Sequence, residues 1–269
     1  MLARSIAFTS LAVSLIAASA GDSSAQTDWE ARCQRSNGRG DRETFCDERE
    51  SRIPARATLT VDAGANGGVS VEGSNEAGIL VQARVQAWAA TASEAREIAQ
   101  QVRVSTDGTL RASGPAMRGR SGWAVSWQLR VPRRTSLQVE TQNGPISVAD
   151  VSGRMQLSAQ NGPLSLTRIG GDVHGRTVNG PLSVTLAGSR WSGEGLDVAT
   201  TNGPLVLRVP RGYSAELEAG TVNGPMSVDL GRTVSGRGRH SRRLHTTLGD
   251  GGPPVRAVTT NGPVSIRES

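Results

Sequence analysis

The side chains able to do chemistry are few, and their spacing limits what they can do. Histidine occurs three times, at His174, His240 and His245. A zinc site of the helical kind needs two such residues one turn apart, or His set among carboxylates and thiolates, and neither spacing is present. Ser147, Ser165, Ser183, Ser227 and Ser265 recur in the same local context. A hydroxyl becomes a nucleophile only beside a base, and the scarce His offer none. Asp150, Asp172, Asp197 and Asp229 are the acids to weigh as a glycan-hydrolysing pair. They share no common position, so they read as solvated surface carboxylates. The sequence therefore assigns no catalytic residue, no cofactor and no metal.

Two kinds of residue remain. Cys33 and Cys46 are the only cysteines, with twelve residues between them in a polar stretch. In an exported chain such a pair reads as a disulfide, which stabilises by about 3 kcal/mol on the chain-entropy account. Every base is arginine and the formal charge is +6. That balance favours anionic surfaces. Arg237, Arg239, Arg242 and Arg243 crowd one acid-free stretch, 232–243. Guanidinium groups pair bidentately with phosphate and carboxylate, so this stretch is the candidate anion-binding loop; the plainer reading is a solvated loop. It contains no aromatic residue on which bases would stack, and nucleic acid is not expected as a partner. Trp123 and Trp127 alternate with Val125 and Leu129, a pattern of core packing rather than a sugar platform.

The elements that must position these residues are written in a repeat. Asn-Gly-Pro starts at Asn143, Asn161, Asn179, Asn202, Asn223 and Asn261, with spacings of 18, 18, 23, 21 and 38. Six residues before each Asn stands an apolar residue (Leu137, Met155, Val173, Leu196, Leu217, Val255). Three and five residues after it, apolar residues recur, from Ile146 and Val148 to Val264 and Ile266, with the Ser column between them. Alternation on both sides of a turn means two half-buried strands per repeat. One such pair cannot bury a core, so repeats must stack. The expected fold is all-β: a parallel β-solenoid with stacked Asn-Gly-Pro turns and an Asn ladder. The antiparallel alternative, in which each Asn-Gly closes a hairpin, accounts less well for the short, near-constant period. Gly is expected at the turn because it tolerates positive φ and the restriction Pro imposes on its predecessor. The last, double-length spacing implies a lost signature or an excursion.

Upstream, residues 1–20 read as a secretory signal: Arg4, an uncharged apolar run, and Ala18-Ser19-Ala20 as the cleavage site. Residues 21–50 form a polar segment with the disulfide loop. Residues 51–136 read as a strand and helix cap, its one short helix at 93–102 with Ser93 as N-cap. Residues 137–269 carry the repeat. No segment of the mature chain is long and apolar enough for a membrane-spanning helix.

Serial Thr-x-Asn-Gly turns after a strand–helix–strand region and a Val131-Pro132 step resemble the bacterial "putative adhesin" family of exported proteins. The run Leu248-Gly249-Asp250-Gly251-Gly252, leading to Val255-Arg256 and Thr259-Thr260-Asn261-Gly262, is similar to that family's ending. The resemblance spans residues 51 to 269. It implies a β-solenoid outside the cytoplasm, related to the head domains of proposed auto-transporter adhesins. The expected role is a non-enzymatic binding module in the periplasm or at the cell surface. Its expected partners are an anionic glycan, lipopolysaccharide or an envelope protein. A self-assembling envelope element and a polysaccharide-processing β-helix enzyme are the alternatives.

Overall fold

The structure, a computed structural model, describes residues 29, 33, 42–117, 119–231 and 242–269. The expected signal segment lies outside them. The described residues form two ten-stranded sheets, mostly parallel, and one helix.

Each Asn-Gly-Pro copy makes one rung: a strand in one sheet, a bend, and a strand in the other. The rungs are β8 (Ser136–Asn143) with β9 (Ile146–Ala149), β10 (Ser152–Asn161) with β11 (Leu164–Thr167), and β12 (Gly170–Asn179) with β13 (Leu182–Thr185). Next come β14 (Gly195–Asn202) with β15 (Leu205–Val209), β16 (Ala215–Asn223) with β17 (Met226–Asp229), and β19 (Pro254–Asn261) with β20 (Val264–Glu268). Neighbouring rungs run parallel and in register: Asn161 lies opposite Asn143 and Asn179, and Leu164 opposite Ile146 and Leu182. The register follows from the pattern, because a one-residue slip would turn every apolar column outward.

The inward columns are dry. Leu137, Met155, Val173, Leu196, Leu217 and Val255 are at most 2% exposed, and Ile146, Leu164, Leu182, Leu205 and Val264 at most 1%. A threonine column lines the same interior beside each bend. The hydroxyls of Thr141, Thr177, Thr200, Thr221 and Thr259 donate to the carbonyls of Gly67, Gly162, Gly180, Gly262 and Gly203, at 2.8–3.0 Å, each on the adjacent rung. Thr200→Val keeps the shape and removes that donor from a part-buried carbonyl. We expect it to lower stability by about 1 kcal/mol, read as a reduced urea midpoint at unchanged m-value.

The glycine of the motif has a different cause from the one expected. None of Gly144, Gly162, Gly180, Gly203, Gly224 and Gly262 adopts positive φ. A Cβ on Gly162 would instead lie 2.1 Å from the Gly144 carbonyl oxygen, and one on Gly180 the same distance from that of Gly162. Rung-on-rung approach at the bend excludes a side chain there.

Rung order departs from chain order at both ends. One sheet runs β14–β19–β16 and the other β15–β20–β17, so the last copy in sequence is inserted between the two before it. The long spacing is thus an excursion: from β17 the chain reaches β18 (Arg243–Leu248), antiparallel to β16 at the sheet edge, then turns back inward. At the other end β2 (Thr58–Asp62) and β3 (Val69–Ser74) form a rung against β8 and β9. Outside it lies a further rung, β6 (Thr109–Ser113) with β7 (Gly122–Pro132), laid down later in the chain.

The remaining elements close this end. β1 (Glu43–Pro54) and β4 (Gly78–Ala89) continue one sheet antiparallel, and β5 (Arg103–Ser105) ends the other. Helix α1 (Ala92–Gln101) is capped by Thr91, which accepts from the Glu94 amide, and not by Ser93. Ser93 lies inside the first turn. Arg49 donates to the carbonyls of Ala99 and Val102 at the far end of the helix, satisfying acceptors a helix C-terminus leaves open.

Candidate binding surface

Stacking turns single side chains into rows. Asn161 donates its amide to the Asn143 side-chain oxygen at 2.9 Å, and the ladder continues at 2.8 Å through Asn179, Asn202, Asn261 and Asn223. All six are exposed. The ladder follows the spatial order of rungs, with Asn261 between Asn202 and Asn223. Beside it run the prolines, then Ser147, Ser165, Ser183, Val206, Ser265 and Ser227 on the outer face of one sheet, paired residue to residue. This face is small-residued, with hydroxyl and amide groups repeating at strand spacing, about 4.8 Å.

The other sheet's outer face carries charge, joined from rung to rung. Asp197 binds Arg176 at 2.6 Å and Arg256 at 2.8 Å, and Arg256 also reaches Glu218 at 3.4 Å. Asp172 meets Arg154 at 3.3 Å and His174 at 3.0 Å. At a corner, Asp150 pairs with Arg168 on the next rung, with Arg133 at 3.7 Å. Asp150 and Arg168 both have positive φ, so this corner repeats its backbone conformation in two rungs. Three of the four carboxylates weighed as a catalytic set hold arginine across rungs.

These contacts carry a pH dependence. The hydrogen bond from Arg168 lowers the Asp150 pKa, against a smaller opposing effect of burial. At Asp197 burial raises the value, but hydrogen bonds from Arg176 and Arg256 outweigh it and the net direction is down. A carboxyl held below its unfolded value contributes stability that is present above that value and lost as pH falls through the folded one. Thermal melts should therefore fall in acid, below the ordinary Asp range near about 3.9. Asp197→Asn should flatten that acid limb while changing the neutral melt less.

Cys33 and Cys46 form a disulfide. The Trp29 ring lies over the Arg84 guanidinium, 5.3 Å from its centroid, and Arg84 is paired with Glu48 at 2.9 Å. Trp127 is 2% exposed in the core, as the alternation implied. Trp123 is half-buried and donates to the Pro115 carbonyl. Of the four candidate anion-binding arginines, Arg237 and Arg239 lie outside the described residues. Arg242 donates to the Val222 carbonyl at 3.0 Å, and Arg243 begins β18 opposite Gly220. Among the described residues, no three of His, Cys, Asp and Glu are grouped to hold a metal ion, and no helix is long and apolar enough to cross a membrane. Sequence reasoning missed the cross-rung ion pairs, because their partners' offsets from Asn differ and become neighbours only once rung lengths are known.

The fold and these rows define an all-β repeat protein that displays its side chains in columns. No protein-family profile and no curated protein matches the sequence. Solved structures do. A "putative cell adhesion protein" from Clostridium sporogenes is similar over 84% of this chain and 100% of its own, at 10% identity and a TM-score of 0.50. A "putative adhesin" from Bacteroides fragilis is similar over 84% of this chain and 97% of its own, at 10% identity and a TM-score of 0.33. Another, from Parabacteroides distasonis, covers 82% and 97%, at 8% identity and a TM-score of 0.36. The first of these likenesses shows a shared fold, found in a protein described as adhesive, and agrees with the resemblance of the sequence motifs.

Proposed function

We propose that this chain is an exported, non-catalytic binding module: a parallel β-solenoid whose repeated rows hold an extended polymer or a partner protein of the cell envelope. The observation that carries this reading is the in-register Asn ladder beside the Ser column. A row of identical groups at one spacing offers many equivalent weak contacts, which suits a repeating ligand and gains strength by multiplicity. The signal segment, the disulfide and the fold shared with an adhesion-type protein support a location in the periplasm or at the surface. The four-part division at residues 20, 50 and 136 belongs to the same reading, with the rung formed by β2 and β3 joining the cap to the repeat.

An anionic glycan or lipopolysaccharide is the ligand class that best suits a chain whose bases are all arginine. In this reading Arg237, Arg239, Arg242 and Arg243 supply the bidentate anion contacts, and the Asn–Ser rows supply the neutral ones. The test is a binding screen of the oxidised mature chain against lipopolysaccharide, acidic polysaccharides and neutral polysaccharides. Saturable, salt-sensitive binding to acidic members, weakened by replacing the four arginines with Ser, is expected. Binding to none of the panel, or release of reducing ends from it, would contradict the proposal.

A further inference from the structure

We infer that the open edge formed by β17 and the bend before it, residues 223–229, accepts one extended polypeptide strand from a partner protein. This concerns the end of the stack and goes beyond the polymer-binding reading of its faces.

At this end the two sheets stop one strand apart. One continues past its last rung strand, β16, to β18; the other stops at β17. The step beside β17 is therefore one strand wide, and β18 stands in the way of the flat end of a second copy.

The edge carries unfilled groups in a defined pattern. Elsewhere the amide of the residue after Pro donates to the Pro carbonyl of the adjacent rung, as Leu205 does to Pro263 and Val264 to Pro225. Val264 binding Pro225, with Met226 opposite Val264, turns the N–H and C=O of Met226 and Val228 away from β20, toward the step. Gly262 donates to Asn223 in the same series, and Gly224 is the next donor in it. Asn223 donates its side-chain amide to the Asn261 oxygen at the end of the ladder, so its own side-chain oxygen is the next acceptor in the series.

The apolar columns are cut at the same place. Val228 shares the inward column of Ile266 and Leu207, both 0% exposed, yet is itself 39% exposed. Met226 is only half-buried, whereas Val264 beside it is 1% exposed. A groove of about 390 Å³ runs over Pro225, Pro263, Pro204 and Met226 next to this edge.

The other outermost strands are defended. β1 carries Glu43, Asp47, Glu48, Arg49, Glu50 and Arg52 and ends at Pro54; β18 starts with Arg243; β5 is three residues long. β17 has one charge, Asp229, at its end. The chemistry of the occupant follows. It is an extended segment with apolar side chains at alternate positions to cover Met226 and Val228, and an amide or hydroxyl donor for Asn223. A basic residue on its outer side would meet Asp229, as Arg267 does from the opposite side of β17.

The test uses the oxidised mature chain and a nine-residue peptide copying Thr259–Arg267, a rung segment with the required pattern. Amide exchange at Met226 and Val228 is followed with and without the peptide, against a scrambled control. The expected result is rapid exchange in the free protein, slowed at least about ten-fold by the peptide at those two amides. Val228→Lys, on an exposed edge, should leave the melt near that of the parent and abolish the slowing. The inference is overturned if the peptide slows neither amide. It is equally overturned if both are already slow in the monomer and are released by deleting residues 232–241, since the chain would then close its own edge. Glycan binding is read on the chain with residues 232–241 intact, where neither outcome at β17 bears on it, so this test and that of the polymer reading fail separately.

Discussion

Gly180→Ala should be among the most damaging single substitutions in the protein, although it adds one methyl group at an ordinary backbone conformation. Its Cβ would sit 2.1 Å from the Gly162 carbonyl oxygen and 2.5 Å from its carbon. That atom belongs to the backbone of a packed rung, so relief requires two rungs to separate. Separation would stretch the Gly162–Asn179 backbone bond, the Thr177 hydroxyl bond to Gly162 and the Asn179–Asn161 side-chain bond. We expect a loss on the order of 4 kcal/mol, or a fall in melting temperature of roughly 10 °C. Gly188→Ala is the control. Nothing lies within 4 Å of its Cβ, but its φ is +77°, so its cost is conformational and about 1 kcal/mol. Equal losses at the two sites would contradict the stacking argument.

Leu182→Ala tests the interior in the same way. Leu182 is 0% exposed and lies between Leu164 and Leu205 in the stacked column. Truncation leaves a cavity bounded by rungs above and below that cannot close without losing register, so about 3–5 kcal/mol should be lost. Because each rung contacts only its neighbours, the loss should appear as early exchange of the rungs around β13. Val228→Ala removes a comparable kind of side chain from the exposed edge and should cost under about 1 kcal/mol. The contrast between column centre and column end is the informative quantity.

Much of this was legible in the sequence because a repeat states the same constraint many times. The apolar residues at fixed offsets from Asn143, Asn161, Asn179 and Asn202 required two strands per copy, and their register followed. Trp127, Val125 and Leu129 declared a core face by alternation. The stacking order was not legible. Nothing local to Pro254–Asn261 says that it enters between β14 and β16, since its columns match any rung; the order is decided by how β18 caps β16 and reverses the chain. The role of the motif glycine was misread for a related reason. Positive φ is a property of one residue, whereas the contact between Gly180 and Gly162 exists only between rungs. The surface charges share this limit: Asp197 and Arg256 are 59 residues apart in sequence and 2.8 Å apart in space.

The rung order is the claim on which the columns, the open edge and the proposed binding rows all rest, and engineered cysteine pairs test it directly. Ser265 is opposite Val206 on one side and Ser227 on the other. Adjacent parallel strands place such residues about 4.8 Å apart, within the span of a disulfide, whereas two rungs exceed it. With Cys33 and Cys46 left intact, Val206→Cys with Ser265→Cys and Ser227→Cys with Ser265→Cys should each cross-link on mild oxidation. Val206→Cys with Ser227→Cys, consecutive copies in the chain, should not. Cross-linking of that third pair with failure of the first two would show rungs stacked in chain order and contradict the account.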